Sequence, residues 1–88
     1  MMGKSSEVKE IENRAIAINA QVARLIYDAR TQAGMSQTKL AQIIDTTQSV
    51  ISRLEDAEYE GHSLSMLSRI ARATGREVKI ELVPIKKA

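Results

Sequence analysis

Residues 36–56 read SQTKLAQIIDTTQSVISRLED, and the reading of the whole chain turns on them. Ser36 stands at the N-cap position of a helix that runs through QTKLAQII. Asp45-Thr46 forms a tight turn, and Thr47 caps a second short helix that ends near Asp56. Leu40, Ile44, Ile51 and Leu54 point inward and hold the two helices at a fixed angle, with Ala41 as the small residue at their crossing. The second helix is left with Gln48, Ser49, Ser52 and Arg53 on its outer face. A face meant only for solubility is usually dominated by Glu and Lys. Gln, Ser and Arg instead suit contact with something polar and patterned.

Working outward, a long first helix is expected from about Glu7 to Ala33. Val8, Ile11, Ala15, Ile18, Val22, Leu25 and Ala29 recur at steps of three and four along one stripe. The spacing is heptad-like for about three heptads. A coiled coil is one reading; a helix packed on its own domain or on a sister copy is the other. Gly34 stops this helix. On the other side, AEYEGHS is a loop. Ser63 then caps a last helix, LSMLSRIARAT, expected to bury Leu64, Leu67, Ile70 and Ala71 before Gly75 ends it. The expected organisation is a disordered tail over 1–6, a helical domain over 7–75, a strand over 76–84 and a basic tail over 85–88 with Lys86 and Lys87.

Composition bounds the function. An 88-residue chain with 43% hydrophobic and 27% charged residues is one small globular domain at most. Without Trp or Phe its core must be aliphatic, and without Cys it has no disulfide, thiolate metal site or thiol nucleophile. No apolar run approaches the ~20 residues of a membrane span, and the first residues lack the apolar centre of a signal peptide. A cytoplasmic, nucleoid-associated protein that needs no membrane is expected. Net charge is only +2, and residues 34–60 set Lys39 and Arg53 against Asp45, Glu55, Asp56, Glu58 and Glu60. Bulk electrostatics therefore argues mildly against nucleic acid at this region, and only a specific arrangement of side chains can outweigh it.

The C-terminal segment changes period. EVKIELVP puts Val78, Ile80 and Leu82 on one face and Lys79 and Glu81 on the other, the alternation of a half-buried strand. No other segment reads as a strand, so its backbone donors and acceptors lack a partner within the chain. The same strand of a second copy, antiparallel across a two-fold axis near Ile80, supplies one, and it sets Lys79 opposite Glu81 twice. The alternative is a loose tail.

Two short helices about a tight turn suggest a helix-turn-helix, and SQTKLAQIIDTTQSVISRLED resembles that of the Cro and phage-repressor (XRE) family. The resemblance is close over these residues and looser over about 24–75. It implies a mainly α, lambda-repressor-like bundle and a homodimeric repressor of palindromic double-stranded DNA. Gln37 and Thr47 match phosphate-contacting positions, with Lys39 beside them as a further phosphate contact. Gln48, Ser49, Ser52 and Arg53 match base-facing positions of the recognition helix, and Arg30 and Glu55 match a structural ion pair. The chemistry agrees: Gln can take adenine, Arg can take guanine, and a helix in the major groove reads bases with its N-terminal residues. This chain departs from the pattern at Asp45, where Gly is usual, and at Ala57 and Glu58, where a Gly and a basic residue usually face phosphate.

The longer segment through residue 84 is similar to HigA-type antitoxins, which repress their own operon and neutralise a RelE-like ribonuclease toxin. A cognate toxin is thus the alternative partner. An enzyme is not expected. His62 is the sole histidine, and Glu58, Glu60 and His62 read as a polar loop rather than a metal site. No cofactor and no metal are expected.

Overall fold

The computed structural model describes residues 2–85, with side chains from residue 17 onward. Four helices follow in order: α1 (Met2–Gln32), α2 (Gln37–Ile43), α3 (Gln48–Leu54) and α4 (Leu64–Ala73). α1 thus begins ahead of the expected start near Glu7 and takes in residues 2–6, expected as a tail; adding turns to an existing helix costs little. The side chains of Val8, Ile11 and Ala15 lie outside the described set, as do Lys86 and Lys87 of the basic tail.

Each short helix opens on a hydroxyl cap. Ser36 Oγ accepts from Lys39 N at 3.0 Å, Thr47 Oγ1 from Val50 N at 3.3 Å, and Ser63 Oγ from Met66 N at 3.1 Å. Three helices close with one device, a left-handed residue that lets the chain bond back across the last turn. Gly34 (φ 72°) ends α1, with Met35 N donating to Arg30 O at 3.1 Å. Gly75 (φ 74°) ends α4, with Arg76 N donating to Ala71 O at 2.7 Å. Asp45 (φ 58°) holds the same place after α2, with Thr46 N donating to Ala41 O at 2.8 Å. Asp45 therefore adopts the conformation for which glycine is favoured, and this closure makes the tight turn into α3.

The core gathers Ile26 of α1, Leu40, Ala41 and Ile44 of α2 and its cap, Ile51 and Leu54 of α3, and Ile70 of α4. Leu40 and Ile51 are fully enclosed, which fixes the angle between α2 and α3. Arg69 of α4 adds a hydrogen bond to the Ile44 carbonyl at the end of α2.

Two expectations about packing faces need correction. α1 buries Ala23, Ile26, Ala29 and Arg30, whereas Ile18 and Leu25 of the expected stripe are 58% and 57% exposed. The helix has two adjoining apolar edges that meet at Val22 and Ala29, and the domain occupies only one. In α4, Ile70 and Ala71 are buried and Leu67 is partly buried, but Leu64 is exposed. As the first helical residue it lies beyond the reach of the core, and Met66 packs there instead.

The C-terminal segment forms no strand in the single chain; among the described residues there are four helices and no strand. A strand is defined by backbone hydrogen bonds to a neighbouring strand, and among the described residues no other segment supplies one.

Candidate nucleic-acid interface

α3 is held by its inner face and presented by its outer one. Ile51 and Leu54 are buried and Val50 is partly buried against the core. Gln48, Ser49, Ser52 and Arg53 are all exposed and, at 3.6 residues per turn, share an arc of about 140°. Arg53 pairs with no carboxylate among the described residues, so its five donors face solvent. Thr47 Oγ1 accepts one hydrogen bond at the helix cap and keeps its O–H donor. Lys39 is exposed on α2.

A chain of polar contacts runs from α1 to the tip of α3. Arg30 Nε donates to Glu55 Oε2 at 2.6 Å and Arg30 Nη2 to Glu55 Oε1 at 3.0 Å, a two-pronged pair with both side chains about nine-tenths buried. Arg30 Nη1 also donates to the Met35 carbonyl at 2.8 Å. The hydrogen bond to Glu55 and its charge, with a smaller contribution from Tyr27, raise the Arg30 guanidinium above its ordinary pKa against the opposing effect of burial. Arg30 is thus a permanent cation and locks Glu55 in place. Tyr27 lies between two guanidiniums, 5.3 Å from Arg24 and 5.4 Å from Arg30.

From Glu55 the contacts continue outward. Gln37 Nε2 donates to Glu55 Oε1 at 3.1 Å, and Gln48 Nε2 donates to Gln37 Oε1 at 2.6 Å. Gln37 is therefore engaged at both ends of its amide and keeps one N–H. Gln48 keeps its carbonyl oxygen and one N–H, side by side and oriented. That donor–acceptor pair is what a two-pronged contact with the edge of adenine requires.

The far end of α3 is pinned by a residue that the sequence offers only as loop. His62 Nε2 donates to the Leu54 carbonyl at 2.7 Å, and the imidazole packs edge-on against Tyr59, ring centres 5.0 Å apart. A Cβ on Gly61 would meet the outer end of the Tyr59 ring as it now lies. The same loop exposes Asp56, Glu58 and Glu60, with Glu58 N bonded to Asp56 Oδ1 at 2.9 Å. Three exposed carboxylates thus gather beyond the C-terminal end of α3.

Among the described residues, no group of three His, Cys, Asp or Glu side chains could hold a metal ion. No helix there is long and apolar enough to cross a membrane.

A family model for helix-turn-helix domains matches residues 26–80, well over half of the chain. A comparison with curated proteins gives no match. Among solved structures, the chain is similar to FeII HppE in complex with substrate and to apo-HppE. Each is 29% identical with a TM-score of 0.61, over 67% of this chain but only 34% and 33% of theirs. The chain spans about a third of those structures, and iron and substrate belong to HppE. The matched family is a DNA-binding helix-turn-helix domain. With its capped helix pair and the exposed face of α3, the chain belongs to the Cro/repressor-like (XRE) helix-turn-helix family of DNA-binding regulators.

Proposed function

We propose that the protein is a sequence-specific repressor that binds a palindromic operator through the major groove as a homodimer, in the bacterial cytoplasm. One observation carries this reading: Gln48 projects from the recognition helix with its amide oriented by Gln37, Glu55 and Arg30. Preorganised side chains discriminate between bases better than mobile ones, because less freedom is lost on binding. Gln48, Ser49, Ser52 and Arg53 read base edges, while Thr47, Lys39 and the remaining N–H of Gln37 position the backbone phosphates. The chain is poor in exposed basic residues near α3, so a single subunit binds weakly. Two recognition helices about 34 Å apart on a two-fold dimer combine their contacts. Residues 78–82 are proposed as the strand that joins the subunits, with Lys79 against Glu81. Selection from random duplex DNA by the purified protein tests the reading. An enriched inverted repeat with half-sites one helical turn apart is expected; enrichment of no sequence would refute it.

The antitoxin reading is favoured by a separate observation, the exposed Asp56, Glu58 and Glu60 beside α3. Acidic groups there repel phosphate and complement a basic ribonuclease. A neighbouring gene for a small basic protein, whose toxicity co-expression of this chain relieves, is the expected sign. Unrelieved toxicity would remove this reading and leave the repressor intact.

A further inference from the structure

A groove of about 500 Å³ lies between α1 and α4, floored by Val22, Leu25 and Ala29 on one side and Leu67 and Ile70 on the other. Residues 76–79 of the same chain, Val78 among them, complete its lining. Beyond that residue the chain leaves its apolar side chains uncovered: Ile80 is 61% exposed, Leu82 98% and Ile85 72%. Leu25 of the groove and Ile18, two turns earlier on α1, are also more than half exposed. Apolar side chains thus stand uncovered both on the outer edge of α1 and along the C-terminal segment, with Asp28, Gln32, Arg76, Glu77 and Lys79 at the margins of the groove between them.

We infer that the groove seats the C-terminal segment of a second copy, with the partner's Leu82 beside Val78 and against Leu25 and Val22. The inference rests on the homodimer reading above and adds to it a contact between the segment and α1. Charge and register identify the occupant. Lys79 and Glu81 share one face, their charged atoms 3.1 Å apart within the chain. Antiparallel pairing about Ile80 sets each Lys79 opposite the Glu81 of the other copy. The same register sets the partner's Leu82 opposite Val78, the residue that already lines the groove. Directly opposed residues lie on one face of a ribbon. In this pairing both copies of Val78, Ile80 and Leu82 share the face that turns toward α1, and Lys79, which lines the groove in the single chain, joins Glu81 on the opposite face. The groove is incomplete without the second chain.

The absence of native cysteine makes the contact directly testable. Leu25→Cys and Leu82→Cys chains, carrying different tags, are co-expressed, purified through both tags and treated with a short bismaleimide. Both sites are exposed in the single chain, so neither change disturbs its fold. Efficient cross-linking between the two differently tagged chains is expected. A dimer by light scattering that gives no such cross-link overturns this inference and leaves the homodimeric repressor standing. A monomer at the concentrations that bind operator overturns both. Leu82→Asp provides an independent readout. It should weaken the dimer by about tenfold or more, since an apolar contact is replaced by a charge in each subunit. The helical circular-dichroism spectrum should be unchanged; unchanged dimer affinity overturns the inference.

Discussion

Gln48 Nε2 donates to Gln37 Oε1 across the helix-turn-helix at 2.6 Å, and through this contact the first turn of α2 orients the tip of α3. The two residues are distant enough in sequence that neither local propensity nor a helix face joins them. What joins them is the crossing of α2 and α3 over Leu40 and Ile51. The relation supports Gln48, and the proposed function adds a second task for Gln37, a phosphate contact through its remaining N–H.

Gln37→Ala separates these tasks. Loss of the phosphate contact weakens binding to every sequence alike, whereas loss of the support to Gln48 relaxes preference at one base pair of each half-site. Both effects are expected, the second at about 1 kcal/mol, measured by titrating operators substituted base by base. Uniform weakening with unchanged preference would show that Gln37 does not position Gln48.

The Arg30–Glu55 pair should behave as a unit. Glu55→Ala leaves a guanidinium buried without its counter-charge and should cost about 3–5 kcal/mol, a large share of the stability of a small domain. Replacing both residues with apolar ones of similar size should cost far less than the sum of the single changes. Urea denaturation of the four proteins of the cycle measures this, and strict additivity would mean that the pair is not coupled.

Asp45 is the third member of a set whose other two are glycines. Asp45→Gly should therefore stabilise the protein by about 0.5–1 kcal/mol, the left-handed backbone strain outweighing the greater freedom of glycine in the unfolded chain. A rise in the urea midpoint at unchanged slope is the expected observation. A fall would place the aspartate side chain in a role beyond the turn.

His62→Ala removes the hydrogen bond to Leu54 and the edge-on contact with Tyr59. A loss of about 1–2 kcal/mol in stability is expected, with base preference unaltered, because the contact fastens the end of α3 remote from Gln48. A shift in preference without loss of stability would contradict this assignment.

Much of this fold is visible in the sequence because it is local. Ser36, Thr47 and Ser63 cap the helices at which they stand, Gly34 and Gly75 end theirs, and Leu40, Ala41, Ile44, Ile51 and Leu54 fill the core. Periodicity falls short on α1, since it shows that Ile18 and Leu25 lie on an apolar stripe but not which of two apolar edges meets a neighbour. It is also silent on Arg30, a charged residue on the buried face; the family resemblance, not the spacing, directs attention to its pairing with Glu55. The link from Gln37 to Gln48 and the bond from His62 to Leu54 depend on how elements cross in space, and no linear pattern encodes either. For His62, the one available signal is an isolated histidine directly before a helix cap.

The central claim is that α3 reads base edges, and a base-substitution map of the selected operator tests it most directly. Binding of the unaltered protein, Gln48→Ala and Arg53→Ala is measured against every single base-pair change. Each variant should lose about 1–3 kcal/mol on the best site and become indifferent to base identity at its own position in each half-site, the rest of the map staying as it was. Maps identical to that of the unaltered protein, or weakened evenly at all positions, would contradict the claim.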